Sequence, residues 1–291
     1  MNVGKRVEIV DSLPERPSRP TDGHKGTFGR VLIVAGSRGM SGAAGLAGLG
    51  ALRGGAGMVT LAVPEKIQSI VAMAEPSWLT VALPDTTDGE LSKSAALVLD
   101  SVVTHQTAIG IGPGLGQSPD VNEIVHRIYE TPKPLVVDAD ALNVFAAAGG
   151  VPDAPKNATR VLTPHPGEFA RLTNRTIDDV IQHRQELAVE FAYRRGVVVV
   201  LKGPGTVITD GKRLAVNATG NSGMATGGSG DVLTGLLTAL LAQGMTGFDA
   251  AQLGVHLHGL AGDLAARDLS EPGLIASDLP KYIVMAWNSL D

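Results

Sequence analysis

The chain contains no cysteine, and this absence limits the chemistry that it can perform. Without thiols it has no disulfide, no thiolate metal site and no cysteine nucleophile. Aromatic residues make up only 3% of the 291 residues, and 24 basic side chains are outnumbered by 29 acidic ones. The formal net charge of −5 argues against a broad surface for nucleic acid.

Targeting and membrane segments are also missing from the sequence. The amino terminus, MNVGKRVEIVDSLPERP, lacks the apolar core of a secretory signal peptide. The longest apolar stretch follows Asp231, where glycine, threonine and glutamine interrupt it, so it predicts a buried helix rather than a membrane span. We expect a cytoplasmic protein whose partners are neither membranes nor nucleic acids.

Two common nucleotide-binding motifs are absent. The P-loop pattern does not occur, and the segment GSRGMSG after the first predicted strand spaces its glycines differently from the dinucleotide fingerprint. No HExxH pattern is present either. His256 and His258 are two residues apart on a predicted helix and do not share a face, so we interpret them as structural residues rather than metal ligands.

Glycine, in contrast, is abundant: it supplies 37 of the 291 residues, well above the usual share of roughly 7%. The segment GNSGMATGGSGDVLTG (220–235) places five glycines before Asp231, and Val232, Leu236 and Leu240 then follow at helical spacing up to Gly244. A glycine loop that leads into a helix offers free N–H groups to an anion such as phosphate. The alternative is a long turn in which Asp231 caps the helix.

Strand-like and helix-like segments alternate along the chain, and several strands are continuously apolar. This pattern predicts an α/β fold with a mostly parallel sheet, as one domain over residues 26–291 after a polar, proline-rich arm over residues 1–25. The predicted strands are 30–37, 57–64, 78–84, 107–116, 134–143 and 160–168, with a hairpin over 197–211. The predicted helices are 41–55, 120–130, 176–196, the segment after Asp231, 247–270 and 276–290.

Four polar or glycine-rich clusters, GPGLG, DADALN, TPHPGE and KGPGT, follow predicted strands. The carboxyl ends of parallel strands meet in one crevice, where these clusters are expected to gather. In TPHPGE two prolines stiffen a loop that carries His165 and Glu168, which suits a substrate contact and a carboxylate beside a metal. A turn with a surface glutamate is the alternative.

The other two polar clusters supply charged side chains. Lys202 follows four valines and a leucine, so it requires an anion, and a phosphate would serve. Asp138 and Asp140 are predicted on one side of a strand by its alternation. There they would serve Mg²⁺ through water, or they would cap the following helix.

Seven segments, taken in chain order over roughly residues 23–288, form a specific combination: HKGTFGRVLIVAGS, GAAGLAGLGALRGGAGMVTLAVP, GIGPGLG, VVDADALN, LTPHPGEFARL, VLKGPGT and GNSGMATGGSGDVLTG. The combination resembles the ADP/ATP-dependent (S)-NAD(P)H-hydrate dehydratase family of the ribokinase-like superfamily, although GxGD alone marks the whole superfamily. Ser222 and Ser229 stand where the family often has proline and threonine. Both are small, so the loop is expected to keep its shape.

The resemblance implies a three-layer αβα sandwich and an enzyme that repairs hydrated nicotinamide cofactors. Such enzymes use ADP or ATP, with Mg²⁺, to phosphorylate the ring hydroxyl of NADHX or NADPHX, and loss of phosphate restores NAD(P)H. ADP is the expected donor and the S epimer the expected substrate. A homo-oligomer, as a tetramer, is expected. Only about 25 residues precede the resemblance, so a separate epimerase would interconvert the two epimers.

The resemblance also assigns roles by position. Asp231 would be the general base, and the helix dipole is expected to help keep it ionised. The anion hole would be Gly228, Ser229 and Gly230. The hydrated-nicotinamide side would be lined by Ala43, Gly114, His165 and Asp231. The nucleotide would be held by Lys202, Gly203, Pro204, Gly205, Thr206 and Gly230. Mg²⁺ would be approached through water by Glu168, and Asp138, Asp140 and Asn143 would support the ion or the substrate.

Two other functions fit parts of the same pattern. A ribokinase-like kinase for a vitamin precursor, hydroxymethylpyrimidine or hydroxyethylthiazole, would share the glycine loop and Asp231 but release a stable phosphorylated product. A non-catalytic nucleotide-binding regulator would need no base. TPHPGE and KGPGT favour the dehydratase over the kinase, and Asp231 argues against the regulator.

Overall fold

The computed structural model describes residues 7–290. Residues 1–6, with which the predicted arm begins, and Asp291, at the end of the predicted domain, lie outside the described residues. One sheet of ten strands organises the described part, in the order β1-β10-β9-β8-β7-β6-β5-β2-β3-β4. The strands are β1 Glu8–Ile9, β2 Arg30–Val34, β3 Met58–Pro64, β4 Leu79–Leu83, β5 Ala108–Ile111, β6 Leu135–Val137, β7 Arg160–Leu162, β8 Val198–Leu201, β9 Val207–Thr209 and β10 Arg213–Val216.

The sheet is parallel except where β9 pairs with β8 and with β10. Helices cover both of its faces. They are α1 Ser41–Arg53, α2 Glu65–Ala74, α3 Ala95–Thr104, α4 Pro119–Tyr129, α5 Ala139–Ala147, α6 Pro166–Thr173, α7 Ile177–Gln182, α8 Arg184–Arg195, α9 Ser229–Ala242, α10 Gly247–Leu269 and α11 Leu279–Asn288. No helix within residues 7–290 is both long and apolar enough to cross a membrane.

Two hydrophobic cores lie on opposite faces of the sheet. In β2, Val31 and Ile33 join the core formed with α1, α9, α10 and α11, whereas Leu32 and Val34 join the core formed with α3 to α8. Successive residues of a strand point to opposite faces, so a continuously apolar strand serves both cores. The predicted three-layer α/β architecture with a mostly parallel sheet is confirmed.

Several predicted elements differ from the observed ones. The strand predicted over 134–143 ends at Val137, because Ala139 turns the chain with a φ of +48° and begins α5. The segment 160–168 similarly contains a short strand and the start of α6. In place of the single helix predicted over 176–196, the structure has two helices, α7 and α8, separated at His183. The predicted arm also contributes β1, which pairs in parallel with β10.

Helix α1 packs backbone to backbone against α9. A Cβ added to Gly50 would lie 2.1 Å from the carbonyl oxygen of Val232, and one added to Gly235 would lie 1.8 Å from that of Ala47. Only glycine allows the two helices to approach so closely. The small residues of α1 therefore pack in the core and fix the position of α9.

Gly235→Ala is expected to lower the free energy of unfolding by at least about 2 kcal/mol, because its methyl group would push against the backbone of α1. Gly42→Ala, at an open position of α1, is the matched control and should change stability by less than about 1 kcal/mol. Urea unfolding of both variants measures the difference. Equal stability of the two variants would contradict the packing described for α1 and α9.

Candidate functional site

The predicted clusters gather at the carboxyl ends of the parallel strands. Asp138 follows β6, His165 lies just beyond β7, and Lys202 follows β8. The amino terminus of α9, with Gly230 and Asp231, faces the same place, because a Cβ added to Gly230 would lie 3.3 Å from Nζ of Lys202 and 3.7 Å from Oδ2 of Asp138. The crevice expected from the sequence is therefore formed.

A buried ion pair occupies the floor of this crevice. Nζ of Lys202 donates to Oδ1 of Asp138 over 2.8 Å, and the hydroxyl of Thr234 donates to Oδ2 over 2.7 Å. Asp138 is only 1% exposed. The sequence suggested phosphate as the anion that balances Lys202, whereas the protein itself supplies a carboxylate.

The charge of Lys202 is secured by its neighbours. Burial works to lower the pKa of its ammonium, but the carboxylates of Asp138 and Glu168 act in the opposite direction and the pKa is raised. The ammonium therefore stays protonated beside the amino terminus of α9.

Asp231 is the third residue of α9 and is not its cap, since Gly228 occupies the N-cap position with a φ of +97°. Burial, together with the charge of Asp138, raises the pKa of Asp231 to about 7, and Lys202 opposes the rise. The sequence analysis expects the helix dipole to help keep this carboxylate ionised, whereas burial and the charge of Asp138 move its pKa upwards. A carboxylate with a pKa near neutrality is suited to accept and release a proton.

The glycine loop leaves several hydrogen-bond donors uncommitted beside Lys202. Gly230 is the second residue of α9, where a backbone N–H has no partner within the helix. The hydroxyl of Ser229 is buried and has no hydrogen-bond partner among the described residues. A buried donor without a partner is costly in a folded protein.

The segment KGPGT forms a tight turn after β8. Gly203 and Gly205 have φ values of +127° and +63°, and the hydroxyl of Thr206 donates to the carbonyl oxygen of Gly203 over 2.9 Å. Arg184 of α8 donates to the carbonyl oxygens of Pro204 and Lys202 at 2.5 and 3.1 Å. Arg184 was missed by the sequence analysis, because nothing in the pattern of its helix marks a contact with this turn.

His165 and Glu168 hold one another in a capping box at the start of α6. Nδ1 of His165 accepts from the backbone N–H groups of Gly167 and Glu168, at 3.0 and 3.3 Å, and Oε2 of Glu168 accepts from the backbone N–H of His165 at 2.8 Å. Partial burial lowers the pKa of His165, and burial raises the pKa of Glu168, which is 5% exposed. With Nδ1 committed as an acceptor, Nε2 carries the proton of the neutral ring.

Ala43 and Gly114 lie together. A Cβ added to Gly114 would lie 3.0 Å from Cβ of Ala43 and 2.9 Å from Cβ of Met40. The hydroxyl of Ser37 donates to the carbonyl oxygen of Gly114 over 2.8 Å and fixes the loop. Any larger residue at Gly114 would clash with the side chains of Met40 and Ala43. The sequence analysis did not single out Met40, which is half exposed there.

Asp138 and Asp140 do not share one side of a strand, and this prediction is wrong because α5 begins between them. Asp138 sits at the N-cap position of α5 without capping it. Asp140 accepts from the backbone N–H of Gly116 over 2.9 Å and so holds the glycine loop after β5. Asn143 accepts from the guanidinium of Arg171 at 2.8 Å. Asp140 and Asn143 thus brace neighbouring segments.

Sequence comparisons identify relatives of the chain. A family model described as NAD(P)H-hydrate dehydratase matches residues 31–284. A bifunctional NAD(P)H-hydrate repair enzyme of Moorella thermoacetica is 43% identical over 278 residues, which are 94% of this chain and 52% of that protein. The chain thus spans about half the length of the first curated relatives that it matches. The ADP-dependent (S)-NAD(P)H-hydrate dehydratase of Bacillus subtilis is 35% identical, with 94% of this chain and 95% of that protein covered.

Structural comparisons point in the same direction. The crystal structure of the ADP/ATP-dependent NAD(P)H-hydrate dehydratase of Bacillus subtilis, co-crystallised with ATP/Mg²⁺, has a TM-score of 0.81 at 32% identity over 94% of both chains. A ribokinase-like superfamily protein of Enterococcus faecalis has a TM-score of 0.81 at 26% identity, over 94% of this chain and 92% of that one. The ribokinase-like fold implied by the sequence is confirmed.

The carboxylate of Asp231 is expected to titrate near pH 7, as measured by the ¹³C chemical shift of its carboxyl carbon. Asp138→Asn should lower this pKa, because it removes a neighbouring negative charge, and Lys202→Met should raise it, because it removes the opposing positive charge. A midpoint near 4 in the unaltered protein, or shifts of the opposite sign in the variants, would contradict the electrostatics described here.

Asp231→Asn is expected to stabilise the protein at pH 8. A carboxyl group with a raised pKa in the folded state holds its proton there at pH values where the unfolded chain has lost it, so stability falls as pH rises from about 4 to 7. Asparagine removes this loss. Thermal unfolding should show a higher midpoint for the variant at pH 8 and little difference below pH 4. A lower midpoint at pH 8 would refute the prediction.

Proposed function

The chain belongs to the NAD(P)H-hydrate dehydratase family, and on this premise we propose that it uses ADP or ATP to dehydrate the S epimer of NAD(P)HX. The observation that carries the proposal is the placement of Asp231, a carboxylate with a pKa near 7, beside a glycine loop with uncommitted donors and a charged lysine. ADP as the preferred donor, assembly into a homo-oligomer and cooperation with a separate epimerase are further parts of the proposal, which rest on the resemblance.

In the proposed reaction Asp231 accepts the proton of the ring hydroxyl. The hydroxyl oxygen then attacks the terminal phosphoryl group, whose bond to the remaining nucleotide breaks. Phosphate is a far better leaving group than hydroxide, so the ring C–O bond can break while a proton leaves the adjacent ring carbon, which restores the double bond. A base matched to neutral pH makes the first step efficient.

The phosphoryl group would be received by the start of α9. The backbone N–H groups of Gly228 and Gly230 would donate to its oxygens, and the N–H of Ser229 would turn to it from its 3.4 Å contact with the carbonyl oxygen of Thr226. Lys202 would add a positive charge, because its pairing with Asp138 fixes its ammonium 3.3 Å from the Cβ position of Gly230. The turn from Gly203 to Thr206 would hold the rest of the nucleotide.

The hydrated ring would lie on the opposite side of Asp231. Ala43 and Gly114 form a wall without bulky side chains, so a flat ring can approach the backbone. His165 is half exposed at the start of α6, and its Nε2 would be the atom that meets the substrate. These assignments follow the family resemblance, and the proximity of Ala43 to Gly114 supports them.

The residues fit a magnesium ion that is held mainly by water and phosphate. Within residues 7–290 no three histidine, aspartate or glutamate side chains are grouped closely enough to hold a metal ion by themselves. Magnesium commonly keeps several waters and takes one or two carboxylates together with substrate phosphates. One oxygen of Glu168 is committed to the capping box, so the other, Oε1, which lies 3.5 Å from Nε2 of His165, would serve through water. The ion would neutralise charge on the phosphates.

The proposal is tested by mixing the protein with the S epimer of NADHX, Mg²⁺ and either ADP or ATP, and recording the absorbance of regenerated NADH. Turnover is expected with one of the nucleotides. Asp231→Asn should lower kcat by about 10² to 10⁴ while nucleotide binding, measured by calorimetry, is retained. Asp249→Asn is the matched control. Like Asp231 in α9, Asp249 is the third residue of its helix, α10, but it forms an ion pair with Arg213 outside the crevice.

Three outcomes would count against the proposal. A stable phosphorylated product without restored NADH would indicate a kinase. Nucleotide binding without turnover of any hydrated cofactor would indicate a regulator. Unchanged turnover in Asp231→Asn would show that Asp231 is not the base, although the dehydratase activity itself would stand.

A further inference from the structure

His258 of α10 lies directly behind the glycine loop. It is buried, with 9% exposure, and its Nε2 is 2.9 Å from the backbone carbonyl oxygen of Ser229. The contact joins residues that are 29 positions apart, and the proposed function has not used it. Any catalytic role of this contact rests on the proposed function, because it concerns how the Ser229–Gly230 peptide receives a phosphoryl group.

The protonation state of His258 follows from its surroundings. Burial lowers its pKa to about 4, and Lys202 acts in the same direction, so the ring is neutral at physiological pH. A carbonyl oxygen only accepts hydrogen bonds, so the proton must sit on Nε2. The interaction is therefore a hydrogen bond from a neutral imidazole to the carbonyl of Ser229.

The contact adds to the helical bonds of α9 in holding the peptide between Ser229 and Gly230, whose carbonyl oxygen lies against Nε2 of His258. The described part of the chain has no cis peptide bonds, and in a trans peptide the C=O and N–H groups point in opposite directions. With the carbonyl directed at His258, the N–H of Gly230 is directed away from it. Lys202 lies close to the same residue, since a Cβ on Gly230 would be 3.3 Å from the lysine nitrogen.

The same helix also holds the other end of the glycine loop. The carboxylate of Asp263 accepts from the backbone N–H of Gly220 and from Nδ2 of Asn221, both at 2.9 Å. The hydroxyl of Thr219 donates to the backbone carbonyl of His256 over 3.0 Å. Helix α10 thus forms a support that contacts the loop at its beginning and at its end.

We propose that His258 is a positioning residue: it fixes the Ser229–Gly230 peptide so that the N–H of Gly230 points at the transferring phosphoryl group. Donors placed in advance act on the charge that develops in the transition state. Loss of this orientation should therefore slow the chemical step, while the ground-state binding of the hydrated cofactor is preserved.

Two substitutions at His258 and one matched control test the proposal. His258→Leu introduces an apolar side chain of similar bulk and removes the hydrogen-bond donor. His258→Gln places an amide N–H near the position of the imidazole Nε2. His256→Leu changes a histidine two residues earlier on the same helix, whose backbone, and not its side chain, takes part in the loop contact.

His258→Leu is expected to lower kcat by about tenfold or more, less than the 10² to 10³ that complete loss of such a donor costs, with KM for NADHX changed less than about twofold. His258→Gln should stay within about threefold of the unaltered kcat, and His256→Leu should match the unaltered protein. An unaltered kcat in folded His258→Leu, or an equal loss of kcat in His258→Gln or His256→Leu, would overturn the proposal.

Hydrogen exchange of the segment 226–232, followed by mass spectrometry, separates this inference from the proposed function. Exchange should be faster in His258→Leu than in the unaltered protein and should return towards normal in His258→Gln. Absence of NADHX turnover in the unaltered protein would contradict the proposed function alone. Unchanged exchange in His258→Leu would contradict the positioning role whether or not the protein turns over NADHX.

Discussion

Lys202 and Asp138 face one another across the end of β7, one following β8 and the other following β6, and their 2.8 Å ion pair ties the floor of the crevice together. The second oxygen of Asp138 is taken by Thr234 of α9, so the same carboxylate also fixes the helix that presents Asp231. A buried charge is tolerated only when it is paired and hydrogen-bonded. Because Lys202 satisfies Asp138, the second carboxylate, Asp231, is left with burial and a like charge beside it, and its pKa rises. The pair thus lies beside a carboxylate whose pKa is near neutrality, and its own ammonium stays protonated.

Several features of the crevice lower the stability of the folded protein. Ala139, directly after Asp138, has a φ of +48°, a conformation that costs a residue other than glycine about 1 kcal/mol or more. Ser229 keeps a buried hydroxyl without a partner, and Asp231 carries a carboxylate whose ionisation the fold disfavours. Such features persist where the surrounding packing is strong, and here α9 is fixed by its close contact with α1.

The sequence was sufficient to predict the sheet and the gathering of polar clusters at its carboxyl edge, because strand ends, glycine and proline act locally. Asp140 was misplaced because period-two alternation was extended beyond Val137, where the chain turns into a helix. Arg184 contacts the turn after β8 from 18 positions away, and His258 contacts the start of α9 from 29 positions away, and no local pattern signals such contacts. The rise in the pKa of Asp231 was not predicted, for a related reason. A helix terminus can be identified from sequence, but the desolvation that outweighs it depends on the whole three-dimensional surroundings.

The dependence of kcat/KM on pH tests most directly whether Asp231 is the base of the reaction. Burial and the charge of Asp138 hold the pKa of this residue near 7. The rate constant for NADHX should rise about tenfold per pH unit below an apparent pKa near 7 and level off above it, since only the ionised carboxylate accepts the proton. A profile that is flat from pH 5 to pH 8, or that levels off already near pH 4, would contradict the account.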